Sequence, residues 1–251
     1  MNERRNWFLI AAVAAAALAL GNRGWAAECD VPPDAFADQP AAVATRALLT
    51  GGKAVAIVTV GSSSTVGAAA GGAEFAWPAR LASELRIRHP GAEITVHNRA
   101  VRRSTAQAVL GRFEKDVLAL KPALVIWETG TGDAVAGVDL DVFRDTLQAG
   151  IDKLSATHVE VVFMDPQFSQ RTEMIVNFAR YAEVLEGVAG ANAVGVFPRR
   201  ELMRAWAEDR VFDYDVKNAE KRQQLARRLY DCIGKAVADF IDRDLKPQPN
   251  P

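Results

Sequence analysis

The sequence predicts an α/β fold in which one five-stranded parallel sheet lies between two layers of helices. Three observations predict it. Five short apolar runs alternate with longer stretches that carry apolar residues at helical spacing, which is the order typical of βαβ units. The chain has 251 residues, a length compatible with a single domain. It is 49% hydrophobic and 24% charged, so it can bury a sizeable core.

The strands are predicted where short runs are rich in β-branched and apolar residues. The first run is a continuous series of β-branched and apolar residues, which is typical of a strand buried on both faces of a sheet. Right-handed crossovers leave few topologies for five such strands, and we predict a flavodoxin-like three-layer sandwich. The predicted strands cover residues 54–60, 93–97, 123–128, 159–164 and 193–197.

The helices are predicted where apolar residues recur every three to four positions. Pro90 and Gly91 follow the first of these patterns, and Lys121 and Pro122 follow the second, so both helices have clear ends. The last pattern is the longest and closes the domain. The predicted helices cover residues 77–88, 105–120, 139–154, 173–188, 199–207 and 219–244.

The first 26 residues have the features of a secretory signal peptide. Arg4 and Arg5 precede an apolar run over residues 7–20, and Gly24 and Ala26 suit cleavage after Ala26. The apolar run is short for a membrane span, and an uncleaved N-terminal anchor is the alternative. We therefore predict a periplasmic or secreted protein with a signal peptide at 1–26, a lead-in at 27–52, one domain at 53–245 and a disordered tail at 246–251.

Few residues are available for disulfide or metal chemistry. An exported protein meets an oxidising compartment, so we predict a disulfide between Cys29 and Cys232, with two unpaired thiols as the alternative. The three histidines are scattered without metal-ligand spacing, and we expect no metal and no cofactor. A net charge of −1 gives no electrostatic basis for binding nucleic acid or an anionic membrane. We expect a monomer with no membrane span after signal cleavage.

Polar residues follow the predicted strands, and the segments that contain them resemble a known family. The segments VTVGSSSTVG, WPARLASEL, TVHNRAV and KPALVIWETGTGDA occur in this order. Together they resemble the SGNH (GDSL-type) hydrolases, and most closely a bacterial exported subgroup with Gly-Ser-Ser in place of Gly-Asp-Ser. The resemblance runs from about Lys53 to the final helix. It implies the SGNH hydrolase fold and the cleavage or transfer of small acyl esters.

The resemblance implies a serine nucleophile at Ser63. In the family a serine attacks an ester carbonyl, a histidine takes its proton, and an aspartate orients the histidine. Ser63 matches the nucleophile, and Asp213 matches the aspartate. Backbone N–H groups and an asparagine side chain hold the oxyanion in the family. The residues matched to these binding blocks are Gly61, Ser62, Asn98, Arg102, Arg103, Gly130, Gly132 and Asp133.

Three positions depart from the family pattern. Arg103 replaces the oxyanion glycine, and Gly132 replaces the oxyanion asparagine. Val216 stands at the histidine, and no histidine follows His158 in the chain. A backbone N–H survives at Arg103, but an arginine adopts a glycine's backbone angles only at a steric cost.

These departures predict weak or lost catalysis with a retained ligand-binding pocket, as in a pseudoenzyme. Losing an oxyanion side-chain donor lowers rates about 10²–10³-fold, and losing the general base of a serine triad lowers them up to about 10⁶-fold. A small ester, a saccharide or an anionic ligand is the expected partner. Arg102 and Arg103 would bind a carboxylate, phosphate or sulfated sugar, or lie in solvent as an unengaged pair.

Other interpretations remain open from the sequence. An active esterase or acyltransferase would need a non-standard base, for which His97 is the candidate. The serines of residues 62–64 would otherwise only satisfy backbone groups in a turn. Asn98 and Asp133 would then pin loops, and Asp213 and Asp215 would be turn and N-cap residues of the last helix. A flavodoxin-like FMN site is disfavoured, because residues 67–76 separate the serine-rich loop from the next predicted helix.

Overall fold

A computed structural model describes residues 29–32 and 34–243 of the chain. Contacts divide the chain into two units, residues 1–32 and residues 33–251, and the fold described below belongs to the second. The predicted signal peptide at 1–26 and the predicted tail at 246–251 lie outside the described residues. Both cysteines, Cys29 and Cys232, are disulfide-bonded, as predicted.

One sheet of five parallel strands occupies the described domain, in the order β2-β1-β3-β4-β5. This order confirms the predicted flavodoxin-like α/β fold. The strand order reverses between β1 and β3, and open parallel sheets bind ligands beyond the carboxyl ends of the strands at such a point. The strands are β1 Val55–Val60, β2 Ile94–Asn98, β3 Leu124–Glu128, β4 Glu160–Met164 and β5 Gly195–Phe197.

Eleven α-helices surround this sheet within the described residues. Long helices connect the strands, and several single-turn helices lie at the strand ends. The helices are α1 Val43–Thr50, α2 Ser63–Val66, α3 Trp77–Arg88, α4 Ala106–Leu110, α5 Phe113–Asp116, α6 Thr131–Ala136, α7 Leu140–Ser155, α8 Gln170–Glu173, α9 Phe178–Ala191, α10 Arg199–Glu208 and α11 Ala219–Asp242.

Two predicted helices are wrong in extent, because each is interrupted. The pattern over 105–120 ends at Gly111, a poor helix former, and resumes as α5 after Arg112, whose φ of −110° and ψ of 3° lie outside the helical region. The pattern over 173–188 is split between α8 and α9, where the Asn177 side chain caps α9 by accepting from the Arg180 N–H. The short helices α1, α2 and α6 were not predicted.

The helices form two layers that bury the sheet on both faces. Helices α7 and α9 cover one face over a core that contains Trp127, Phe143 and Phe163. Helices α3 and α11 pack against each other on the other face. A Cβ atom at Gly234 of α11 would lie 2.5 Å from the Cβ of Arg80, so only glycine allows this approach. The described helices include none that is both long and apolar enough to cross a bilayer.

Candidate functional site

A tight turn joins β1 to α2 and carries the predicted nucleophile. Gly61 has a φ of 153°, and a Cβ atom there would lie 2.7 Å from the Cβ of Glu128. Glycine is therefore required, because the neighbouring strand β3 brings Glu128 directly against the turn. Glu128 Oε2 accepts from the Ser62 N–H at 2.7 Å and from the Thr65 hydroxyl at 3.1 Å. One buried carboxylate thus fixes both ends of the turn.

A buried arginine completes this arrangement beneath the turn. The Arg199 and Glu128 side chains are each only 1% exposed, and their ion pair measures 3.2 Å between Nη2 and Oε1. Arg199 also donates from Nη1 to the Ser64 hydroxyl at 3.0 Å and from Nε to the Asp165 carbonyl at 3.0 Å. The guanidinium therefore links the ends of three strands, β1, β3 and β4.

Glu128 and Arg199 are absent from the site residues predicted from sequence. A signal for Glu128 exists, since it is a single acid that closes an otherwise apolar run, and a buried carboxylate needs a cationic partner. The partner itself could not be found in the same way. Arg199 lies 71 positions away along the chain, and only the β1-β3-β4-β5 order brings it beneath the turn.

Ser63 begins α2 and is partly exposed. Its Oγ accepts a hydrogen bond from the backbone N–H of Arg103 at 3.3 Å. Arg103 has a φ of 59°, in the left-handed region that favours glycine. Arg103 therefore adopts a backbone conformation that is usual for glycine, at a steric cost of about 1–2 kcal/mol. Its N–H remains directed at Ser63.

Asn98 ends β2 and ties the neighbouring loop to the nucleophile turn. Its Nδ2 donates to the Thr65 carbonyl at 2.6 Å, and its Oδ1 accepts from the Ala100 N–H at 3.1 Å. The Val101 N–H also donates to the Gly61 carbonyl at 3.1 Å. These bonds hold the loop that carries Arg103 beside Ser63.

Asp133 is a buried brace between two loops. Its Oδ1 accepts from the Ala106 N–H at 2.8 Å and its Oδ2 from the Gly130 N–H at 3.2 Å. Burial raises the pKa of this carboxyl above its ordinary value. Both oxygens point to the backbone, so the side chain positions the loops after β2 and β3.

Backbone lies very close to Gly132, the residue that the sequence resemblance matches to the family's oxyanion asparagine. A Cβ atom at Gly132 would lie only 2.0 Å from the carbonyl oxygen of Ser104. No side chain fits at position 132 while Ser104 stays in place. The position of the Ser104 carbonyl therefore favours glycine at position 132.

Asp213 lies on an exposed loop before α11. Its Oδ1 accepts from the Asp215 N–H at 2.9 Å, which makes a local turn. Asp215 is not the N-cap of α11, contrary to one interpretation of the sequence. That position belongs to Asn218, whose side chain accepts from the Lys221 N–H at 2.9 Å. In the part of the chain that the structure describes, no hydrogen bond joins Asp213 to Ser63.

The three histidines give Ser63 no partner among the described residues. His89 contacts Asp242 at 2.8 Å, near the end of α11. His158 lies in the turn before β4. His97 is adjacent to Asn98 in β2 and so points to the opposite face of the sheet from the Asn98 amide. A search of residues 29–32 and 34–243 finds no cluster of His, Cys, Asp and Glu that could hold a metal ion.

Asp165, at the end of β4, is a second buried carboxyl next to the arginine. It is 4% exposed and accepts from the Arg200 N–H at 2.9 Å. Burial raises its pKa to about 7, although the nearby Arg199 and Arg200 oppose the shift. The folded protein therefore binds a proton here that the unfolded chain releases above about pH 4.

The replacement Asp165→Asn should make stability less dependent on pH. Ionisation of the native carboxyl favours the unfolded state, so its contribution to stability is lost as the pH rises from about 4 to about 7. Between pH 4 and pH 7, the free energy of unfolding of the variant should therefore rise relative to that of the native protein by at most about 4 kcal/mol. One pKa unit corresponds to ~1.4 kcal/mol. Urea unfolding at pH 4, 5.5 and 7 measures the difference. A constant difference would contradict a raised pKa at Asp165.

Comparisons with known proteins give the family and the fold of the chain. A model of the non-GDSL lipase-like family matches residues 28–247. No curated protein matches the chain. Among solved structures, a protein of the lipolytic G-D-S-L family from Desulfitobacterium hafniense DCB-2 is 25% identical. It has a TM-score of 0.50, and the match covers 63% of this chain and 99% of that one.

Two further structures are more distant in sequence and show the fold alone. The lipase/acylhydrolase from Enterococcus faecalis has a TM-score of 0.58 at 21% identity, covering 78% of this chain and 100% of that one. A two-domain esterase active on acetylated mannans has a TM-score of 0.64 at 17% identity, covering 86% and 58%. The predicted SGNH hydrolase fold is confirmed.

Proposed function

Because this chain belongs to the non-GDSL lipase-like family, we propose that it is an exported SGNH-fold protein with weak or lost ester hydrolysis. Its retained function would be to bind an acylated or anionic ligand at Ser63. The ligand's oxygen would take the place that the carbonyl oxygen of an ester occupies in an active relative. Ser63 keeps the nucleophile's position in this proposal, whereas Asp213 has no histidine to orient.

The Arg103 N–H beside Ser63 is the observation that carries this proposal. Oxyanion recognition needs donors fixed in advance, and the donor at 3.3 Å from Ser63 Oγ survives the loss of glycine. Ser63 is also the first residue of α2, where a backbone N–H has no acceptor within the helix. The oxygen-binding half of an esterase site is thus supported.

The proton-accepting half has no comparable support. A serine hydroxyl needs a neighbouring base to attack an ester at neutral pH. In the described part of the chain, the hydrogen-bond partner of Ser63 Oγ is a backbone N–H, which cannot accept a proton. An arginine side chain stays protonated and cannot act as the base either.

Two arginines favour an anion as the ligand. Arg102 and Arg103 are exposed on the loop next to Ser63. Neither forms an ion pair with a carboxylate among residues 29–32 and 34–243. By contrast, Arg80, Arg112 and Arg200 are each paired with a carboxylate. Guanidinium groups bind carboxylate and phosphate by paired hydrogen bonds. A carboxylated or acylated ligand would engage both the loop and the N–H groups.

Fluorophosphonate labelling of the purified mature protein tests the catalytic half. We expect the native protein to take up no more label than the Ser63→Ala variant, because phosphonylation of Ser63 would need an activated serine. Mass spectrometry of the intact protein measures the label. The same samples should show saturable binding of an oligoglucuronate, and Arg103→Gly should weaken it, because glycine keeps the N–H and relieves the strained φ while removing the guanidinium.

The retained turn also favours one alternative, an active esterase or acyltransferase with a non-standard base. Full labelling that Ser63→Ala abolishes, together with hydrolysis of short-chain aryl esters, would establish it. Unchanged oligoglucuronate binding in Arg103→Gly would instead exclude the arginine as an anion ligand. The loss of hydrolysis at Ser63 and the binding of anions by Arg103 can therefore be contradicted independently.

A further inference from the structure

A cavity lies between the segment after β4 and the loop before α11, and Ser63 is not among its lining residues. Its volume is about 600 Å³, within the range of roughly 300–1,000 Å³ that is common for small-molecule sites. None of the residues that bond to Ser63 or Glu128 lines it. Aromatic rings form one wall, and charged groups form the rim.

The aromatic wall is held rigidly. Phe168 and Tyr214 meet edge to face, with ring centroids 6.3 Å apart at 69°. Tyr214 lies nearly parallel to the buried ring of Phe212, at 6.2 Å and 17°. Its hydroxyl donates to the Met203 carbonyl at 3.1 Å. Tyr214 is thus fixed at both ends, and the partly exposed Phe168 ring faces the cavity beside it.

The rim carries more uncompensated acids than bases. Arg204, which lies 5.6 Å from the Phe168 ring centroid, is ion-paired with Glu201 at 2.9 Å. Within the described residues, Arg210 of the rim forms no ion pair. Three carboxylates of the rim likewise form none, those of Glu208, Asp213 and Asp215.

We propose that this cavity binds an oligosaccharide that is uncharged or carries amino groups. Stacking on the partly exposed Phe168 ring would hold one sugar ring, because the positive C–H edges of the sugar suit the negative face of an aromatic ring. Tyr214 would border the bound sugar. The rim supplies carboxylate acceptors and guanidinium donors, which together match the hydroxyl groups of a sugar. The excess of carboxylates disfavours acidic sugars and favours amino groups.

This cavity differs from the Ser63 site in its charge and in its preferred ligand. The Ser63 loop presents two arginines and is proposed to bind anions, whereas this rim presents mainly acids. The inference does not depend on the proposed function, since it involves no group that contacts Ser63. A protein that binds both kinds of ligand would hold differently charged sugars at two places.

Calorimetric titration with three tetrasaccharides tests the inference. We expect the glucosamine tetramer and cellotetraose to bind, and tetragalacturonate to bind this cavity at least about tenfold more weakly. Phe168→Ala should weaken binding of the glucosamine tetramer about tenfold, because it removes the stacking face. Tyr214→Phe keeps the ring and should bind within about twofold of the native protein. No binding of either non-acidic tetrasaccharide would overturn the inference.

A matched control is available at another aromatic residue. The Phe75 ring also contacts an arginine, since the Arg227 guanidinium lies 3.7 Å from its centroid. Phe75 does not line the cavity. Phe75→Ala should leave saccharide binding unchanged. Equal losses in Phe75→Ala and Phe168→Ala would overturn the assignment to this cavity. Oligoglucuronate binding at Ser63 should survive Phe168→Ala, which separates this test from that of the proposed function.

Discussion

Replacing Arg199 with methionine should lower the free energy of unfolding by about 3–5 kcal/mol. The substitution keeps most of the side-chain volume but leaves the Glu128 carboxylate buried without its cation. It also removes the donors to the Ser64 hydroxyl and the Asp165 carbonyl. Urea or guanidinium unfolding, followed by circular dichroism, measures the change.

Two controls separate the buried pair from a general effect of losing an arginine. Arg144→Met removes an exposed arginine that contacts Asp141 and Asp145, and stability should hardly change. Adding Glu128→Gln to Arg199→Met removes the unpaired buried charge, so the double variant should be more stable than Arg199→Met alone. If Arg199→Met is as mild as Arg144→Met, the pair does not stabilise the turn.

Gly132→Asn, which introduces the asparagine that the resemblance implies at this position, should destabilise the protein by about 3 kcal/mol. The new Cβ atom would lie 2.0 Å from the Ser104 carbonyl oxygen, and backbone cannot move aside as a flexible side chain can. Either α6 or the loop before α4 must shift, which would break the bond between the Ala106 N–H and Asp133 of α6. Denaturant unfolding gives the loss, and hydrolysis of aryl esters should not appear in the variant.

Gly187→Ala provides the matched control for this substitution. Gly187 lies within α9, and nothing lies within 4 Å of a Cβ atom placed there. Alanine should therefore stabilise the helix by about 0.5–1 kcal/mol. A Gly132→Asn variant as stable as the native protein would show that the Ser104 loop is free to move.

The sheet could be predicted because its strands are short, apolar and buried on both faces. All five predicted strands are present within two residues of their observed ends. The helix over 105–120 failed for a local reason, since its apolar spacing continues through Gly111 while the backbone does not. Periodicity reports which side of a segment is buried, and it is insensitive to a single break.

The site was predictable only where the resemblance supplied positions. Ser63 and Arg103 come from two separate motifs and form a hydrogen bond, and Arg103 has a φ of 59° in the region that favours glycine. The Glu128–Arg199 pair depends on strands distant in sequence, and no local pattern contains it. The contact between Ser104 and Gly132 is likewise a property of packed loops.

The bonds around the β1–α2 turn imply an uneven tolerance to mutation along five neighbouring residues. Gly61, Ser62, Ser64 and Thr65 each meet Glu128 or Arg199, so folding alone constrains them. Among residues 29–32 and 34–243, Ser63 Oγ receives one bond, from an exposed loop, and folding constrains it least. A Gly-Ser-Ser-Ser-Thr segment can therefore persist in a chain for architectural reasons. Under the proposed function, Ser63 is therefore the one of the three serines that ligand binding would constrain.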